Sequence, residues 1–105
     1  MRADQVRKFA LPAPEQLTVP ELGGDGVVTV RPLGFGERVD LLRGDRPESR
    51  SARLCAAAVV DEDGLPLMDA SGWDAFAYAH EDQFIVLLTT VTRLAGLDGD
   101  AVKKA

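Results

Sequence analysis

The chain has 105 residues, 46% of them hydrophobic and 28% charged, with a formal net charge of −5. That length admits one domain with a single modest core, and the composition is globular, which excludes disordered and collagen-like classes. The acidic balance argues against electrostatic binding of nucleic acid, which needs a clustered basic face; no apolar run reaches signal-peptide or bilayer length, so a cytoplasmic protein that touches no membrane is expected.

Cys55 is the only cysteine and lies between Leu54 and Ala56, so an internal disulfide is impossible and a small core hydrophobe is expected. Arg43, Arg46, Arg50 and Arg53 gather in one stretch, but Asp40, Asp45 and Glu48 run through it. Local fields there cancel, and a solvated mixed-charge surface is expected.

In chain order, residues 1–9 hold a helical turn or two at most, with Val6, Phe9 and Ala10 apolar. Isolated helices this short are marginal, so residues 1–16 are expected to form a flexible N-terminal segment. Pro12, Pro14 and Pro20 punctuate the next stretch of chain, leaving Gln16-Leu17-Thr18-Val19 as a short extended piece. A Gly-rich loop through Gly23, Gly24 and Gly26 leads to Val27-Val28-Thr29-Val30-Arg31, the clearest strand signal in the chain. The two pieces are expected to pair as a hairpin, with Pro20 and Pro32 withholding ladder donors at its margins.

A first helix is expected from Phe35 to Arg43, with Phe35, Val39 and Leu42 on its apolar side and Gly34 at the N-cap. Gly44 followed by Pro47 stops it. A second helix is expected over 51–60, with Leu54, Cys55, Ala58 and Val59 on one stripe and many alanines that let a neighbour approach closely. It empties into Asp61-Glu62-Asp63-Gly64, a tight acidic reversal, and Pro66 marks an extended return leg.

Asp69 or Ser71 can cap a third helix carrying Trp73, Phe76, Ala77 and His80 on one face. Glu81 and Asp82 suit the positive end of a fourth, whose stripe is Phe84, Leu87, Leu88, Val91, Leu94 and Ala95, with Gln83, Thr90 and Arg93 off it. Gly96 ends it. The expected fold is α+β: a short N-terminal β-hairpin followed by four packed helices, mainly helical, with a single domain at 17–97 and a polar tail at 98–105.

Chemistry finds little purchase. Asp61-Glu62-Asp63-Gly64 is no EF-hand loop, because the Gly comes two residues early and Leu65 occupies the third ligand position; Asp98 and Asp100 fail in the same way. His80 is the only histidine, and its place on an apolar stripe favours a structural role over a general base for Ser49 or Ser71. One His and one Cys cannot supply a zinc shell, and Gly34-Phe35-Gly36 lacks the remainder of a phosphate loop. No enzyme activity, cofactor or metal is expected, and such a chain works by binding.

The order of features resembles the phage tail assembly chaperones of long non-contractile tails in actinobacterial phages and prophages. The resemblance runs from about Leu17 to Lys104. It is carried by Val19-Pro20-Glu21-Leu22-Gly23-Gly24 before Val28-Thr29-Val30-Arg31, by Leu33-Gly34-Phe35-Gly36-Glu37-Arg38, by the alanine-rich second helix with its acidic turn, and by Arg93-Leu94-Ala95-Gly96-Leu97. The chain departs from the family's pattern at Ala95, where the family often has Asn, and at Met68, where it often has an aromatic residue.

The resemblance implies a protein that binds the tape-measure protein, keeps its apolar helices soluble, helps tail-tube protein polymerise around it in the host cytoplasm, and is absent from the mature virion. Leu41 and Leu42 on the first helix and Ile85 and Val86 on the last exceed one core-facing stripe, and are expected to contact the client by helix-in-groove docking. The same apolar surplus could serve a homo-oligomer. The alternative from another class is a structural virion part, such as a tail-completion or head-tail connector protein.

Overall fold

The computed structural model describes residues 1–97, so the expected tail at 98–105 lies outside the described residues. A three-stranded antiparallel sheet, two strands from the N-terminal end and a third from between the second and third helices, combines with four helices in an α+β fold. Strand β1 (Glu15–Thr18) pairs antiparallel with β2 (Val27–Val30) in the register Glu15↔Val30, Leu17↔Val28. Alternation sends Val28 and Val30 into the core and Val27 outward. The connecting turn closes through Val19 N–H donating to Gly26 O at 2.7 Å. Gly26 has φ of 70°, and a Cβ there would stand 2.9 Å from the backbone of Val19 and Pro20, so only glycine fits.

The hairpin is two-thirds of the sheet. Helix α2 (Arg50–Ala58) stops two residues before its expected end, and Val59–Val60 forms β3 against β2 with Val30↔Val59 and Thr29↔Val60. Two consecutive β-branched residues lose less rotamer freedom in a strand than in a helix, and the ladder is free to receive them. Helix thus passes into strand with no loop, and β2 becomes the central strand. The acidic reversal forms as expected: Asp61 Oδ1 accepts the amides of Asp63 (2.8 Å) and Leu65 (3.0 Å), Gly64 takes a positive φ, and the return leg bridges Val60 at Pro66.

Helix α1 (Phe35–Leu42) packs on α2, and α3 (Ala70–Ala79) and α4 (Glu81–Leu94) pack on α2 and on each other. Ala52, Cys55 and Ala58 are fully buried, the small residues that let three helices crowd one. Trp73 is fully buried too, edge-on to Phe76 with ring centroids 5.6 Å apart and 6.4 Å from Phe84. Ser49 caps α2 by accepting from Ala52 N, and its own N–H and hydroxyl donate to the Asp74 carboxylate at 3.0 and 2.6 Å, which ties α2 to α3. Asp69, rather than Ser71, caps α3. Gly96 at positive φ ends α4, and Leu97 N–H returns to Thr92 O at 2.9 Å as in a Schellman motif.

Several expectations are corrected. Strand β1 begins at Glu15, one residue ahead of the expected extended piece at Gln16, where Glu15 pairs in the ladder and Arg93 of α4 forks its carboxylate. Helix α1 is turned from its expected pose: Phe35 and Val39 are exposed, while Arg38, Leu41 and Leu42 are half-buried. Thr90, placed off the stripe of α4, is buried, since sheet and helices enclose α4 on more than one side. Arg53, read as part of a solvated patch, is only 6% exposed; Arg43, Arg46 and Arg50 are exposed as expected.

Candidate functional site

The α3–α4 hairpin presents apolar side chains that the core does not use. On α4 the stripe Phe84, Leu87, Val91 and Leu94 faces inward. At about 100° per residue, the next two positions after Phe84 are turned away from it, and Ile85 and Val86 are accordingly 50% and 62% exposed. Tyr78, near the end of α3, is 92% exposed. These three residues flank the junction at His80, which closes α3 by donating its amide to Phe76 O and opens α4 by accepting from Phe84 N. Glu81 and Asp82 in the first turn of α4 are exposed, so carboxylates border the apolar pair.

The four residues nominated from sequence separate into two kinds. Ile85 and Val86 are free surface. Leu41 and Leu42 pack against the core, half-buried on α1, and that helix leans on α2. The apolar surplus of α1 is carried instead by Phe35 and Val39, with the Arg38 guanidinium 5.6 Å from the Phe35 ring centre. The two pairs lie on separate elements, and Leu41 and Leu42 do not join Ile85 and Val86 in one exposed stripe.

Residues considered for chemistry have structural duties. Ser49 is the cap of α2, and Asp61 holds the acidic turn. His80 packs against Phe76 with ring centroids 5.4 Å apart and planes tilted by 42°. Cys55 is buried, and loss of solvation pushes its thiol up to about 12, which leaves no nucleophilic thiolate near neutral pH. Among the described residues, no group of three or more His, Cys, Asp or Glu is placed to hold a metal ion. No helix among them is long and apolar enough to cross a membrane.

Sequence reasoning missed a clamp that sets where α1 sits. Arg31, just past β2, donates through Nη1 and Nη2 to both Glu37 oxygens at 3.2 and 2.7 Å, and through Nε to Ala57 O at 3.0 Å. Glu37 also accepts from Gly34 N at 3.3 Å, filling the capping role that glycine has no side chain to perform. The Val28-Thr29-Val30-Arg31 and Glu37-Arg38 segments are therefore physically joined, binding sheet, first helix and second helix at one point. The partners lie 6 positions apart in the chain, across Pro32 and Gly34, and no local periodicity connects them.

The chain matches no family model, no curated protein and no solved structure.

Proposed function

We propose that this chain is a tail assembly chaperone that holds the apolar helices of a tape-measure protein in solution and helps recruit tail-tube subunits in the host cytoplasm, without entering the finished particle. The support is the sequence resemblance together with one observation: Ile85 and Val86 stand exposed on a well-packed helix, with Tyr78 beside the same turn. A helical client offering apolar side chains at i, i+3 and i+4 would cover them, and the Glu81 and Asp82 carboxylates would favour a client with basic residues beside its apolar stripe. Leu41 and Leu42, being half-buried, serve the fold first and reach a client only at their edges.

The test is co-expression with the tape-measure protein encoded in the same genome, reading the fraction of it that stays soluble and co-purifies. A soluble complex is expected. Ile85→Asp with Val86→Asp should abolish it while leaving the melting temperature of the chain nearly unchanged, because neither side chain supports the core. At about 1.5 kcal/mol for each apolar side chain covered, losing both weakens binding roughly a hundredfold. If the tape measure precipitates equally with and without the chain, the chaperone reading fails, and detection of the chain in purified particles would favour the virion-component reading.

A further inference from the structure

Residues 1–14 form an arm that touches little of the body. Every one of them is exposed, including Val6, Phe9 and Leu11. The arm carries Arg2, Arg7 and Lys8 against Asp4 alone, in a chain whose net charge is −5. A basic, apolar arm therefore springs from a strongly acidic body.

The body offers a matching surface on the outer face of the sheet. Val28 and Val30 point into the core, so their neighbours Val27 and Thr29 look outward, with Gln16 beside Thr29 in the ladder. Over this face opens a cavity of about 300 Å³. It is lined by the sheet residues Gln16, Val27 and Thr29 and by Asp25, Asp61, Glu62 and Leu67. Asp25 and Asp61 are each engaged through one oxygen by turn amides, while Glu62 makes no hydrogen bond among the described residues. The surface thus combines exposed apolar side chains with three carboxylates. Its lining includes no residue of the arm.

We propose that the outer face of the sheet receives the N-terminal arm of a second copy of this chain, so that two copies exchange arms. Arg7 and Lys8 meet Asp61 and Glu62, and Phe9 or Leu11 lies against Val27 and Leu67. The partner is a second copy because of how the arm leaves the body. Pro12 and Pro14 bias Leu11 and Ala13 toward extended conformations, which opposes a reversal in the few residues before β1.

Reach is sufficient. Residues 6–11 in extended form span about 20 Å, and three strands are only about 10 Å across. The arm's root at Pro14 lies two residues from Gln16, a wall of the cavity. A two-fold axis beside β1 therefore sets each arm over the other copy's sheet, which is the self-complementary arrangement that a two-fold dimer requires.

The experiment is sedimentation velocity on the full chain over a range of protein and salt concentrations, with circular dichroism to confirm folding. The wild type is expected at twice its 11.3 kDa mass in low salt, shifting to the single-chain mass as salt screens the pairs. Arg7→Glu with Lys8→Glu alters only exposed residues and should remain folded and monomeric. Gln16→Lys with Glu62→Lys should also be monomeric, and mixing the two variants should restore a one-to-one dimer, since each supplies what the other has reversed. A wild type that stays monomeric in low salt overturns the proposal, whether or not the arm lies on its own sheet. So does an arm variant that dimerises like the wild type, or a mixture that fails to pair.

Discussion

Glu37 and Glu15 each take a forked ion pair from an arginine distant in sequence or separated by a bend. The Arg31 guanidinium holds the Glu37 carboxyl below its ordinary value of 4.5, against the opposing effect of burial and with further help from the Gly34 amide. Arg93 does the same for Glu15. Because the folded state binds its proton later than the unfolded chain, this stabilisation is fully present above the unfolded value near 4.5 and is lost as pH falls through the lower folded value. Glu37→Gln should therefore lose less of its melting temperature than the wild type when acidified from neutral pH to below 4.5. Equal acid sensitivity in thermal melts would show that the pair contributes nothing to the pH response. Neither pair was legible in the sequence, where Arg31 and Glu37 were visible as residues but their meeting depends on the bend at Pro32 and Gly34.

At the scale of elements, legibility followed the strength of local signals. The glycine turn, the acidic reversal, the Asp69 cap and the Gly96 stop all formed where turn and cap chemistry placed them. What local pattern could not supply was the neighbour. Val59 and Val60 continue a plausible helical stripe, and they become a strand only because β2 has a free edge for them. Helix α1 shows the same limit: eight residues with Phe35, Val39, Leu41 and Leu42 admit two apolar faces, and the Arg31 clamp is associated with the one that half-buries Arg38, Leu41 and Leu42.

Ser49 offers a test at this scale, because it both caps α2 and donates to Asp74 on α3. Ser49→Ala should destabilise the protein by about 1–2 kcal/mol in chemical denaturation. Adding Asp74→Ala should cost little more, since the shared interaction is already gone. Strictly additive losses would mean that the two residues act independently.

Over the whole molecule, sheet and helices share one core. Val28, Val30 and Val59 from the strands form a continuous cluster with Cys55, Trp73, Leu87 and Val91 from the helices. Such a core should unfold as a unit, and Trp73, the sole tryptophan, sits fully buried within it. Unfolding followed by tryptophan fluorescence and by far-ultraviolet circular dichroism should give coincident transitions. A fluorescence change that precedes loss of helix would reveal a core that loosens around Trp73 first. The candidate client surface was only half visible from sequence: an apolar surplus can be counted along a helix, but which residues it leaves outside depends on how many neighbours that helix has. For α4 the surplus is Ile85 and Val86; for α1 it is Phe35 and Val39.

The direct passage from α2 into β3 has a mechanical consequence. With no loop between Ala58 and Val59, and with Arg31 N–H bonded to Ala58 O at the junction, the helix has no hinge about which to swing. Rotating α2 would shear the ladder between β2 and β3 and pull Ser49 from Asp74 at its other end. Amides of α2 and of the β2–β3 ladder should then exchange with solvent at a common rate, set by global opening rather than by local fraying, so that α2 acts as a rigid strut between the sheet and α3.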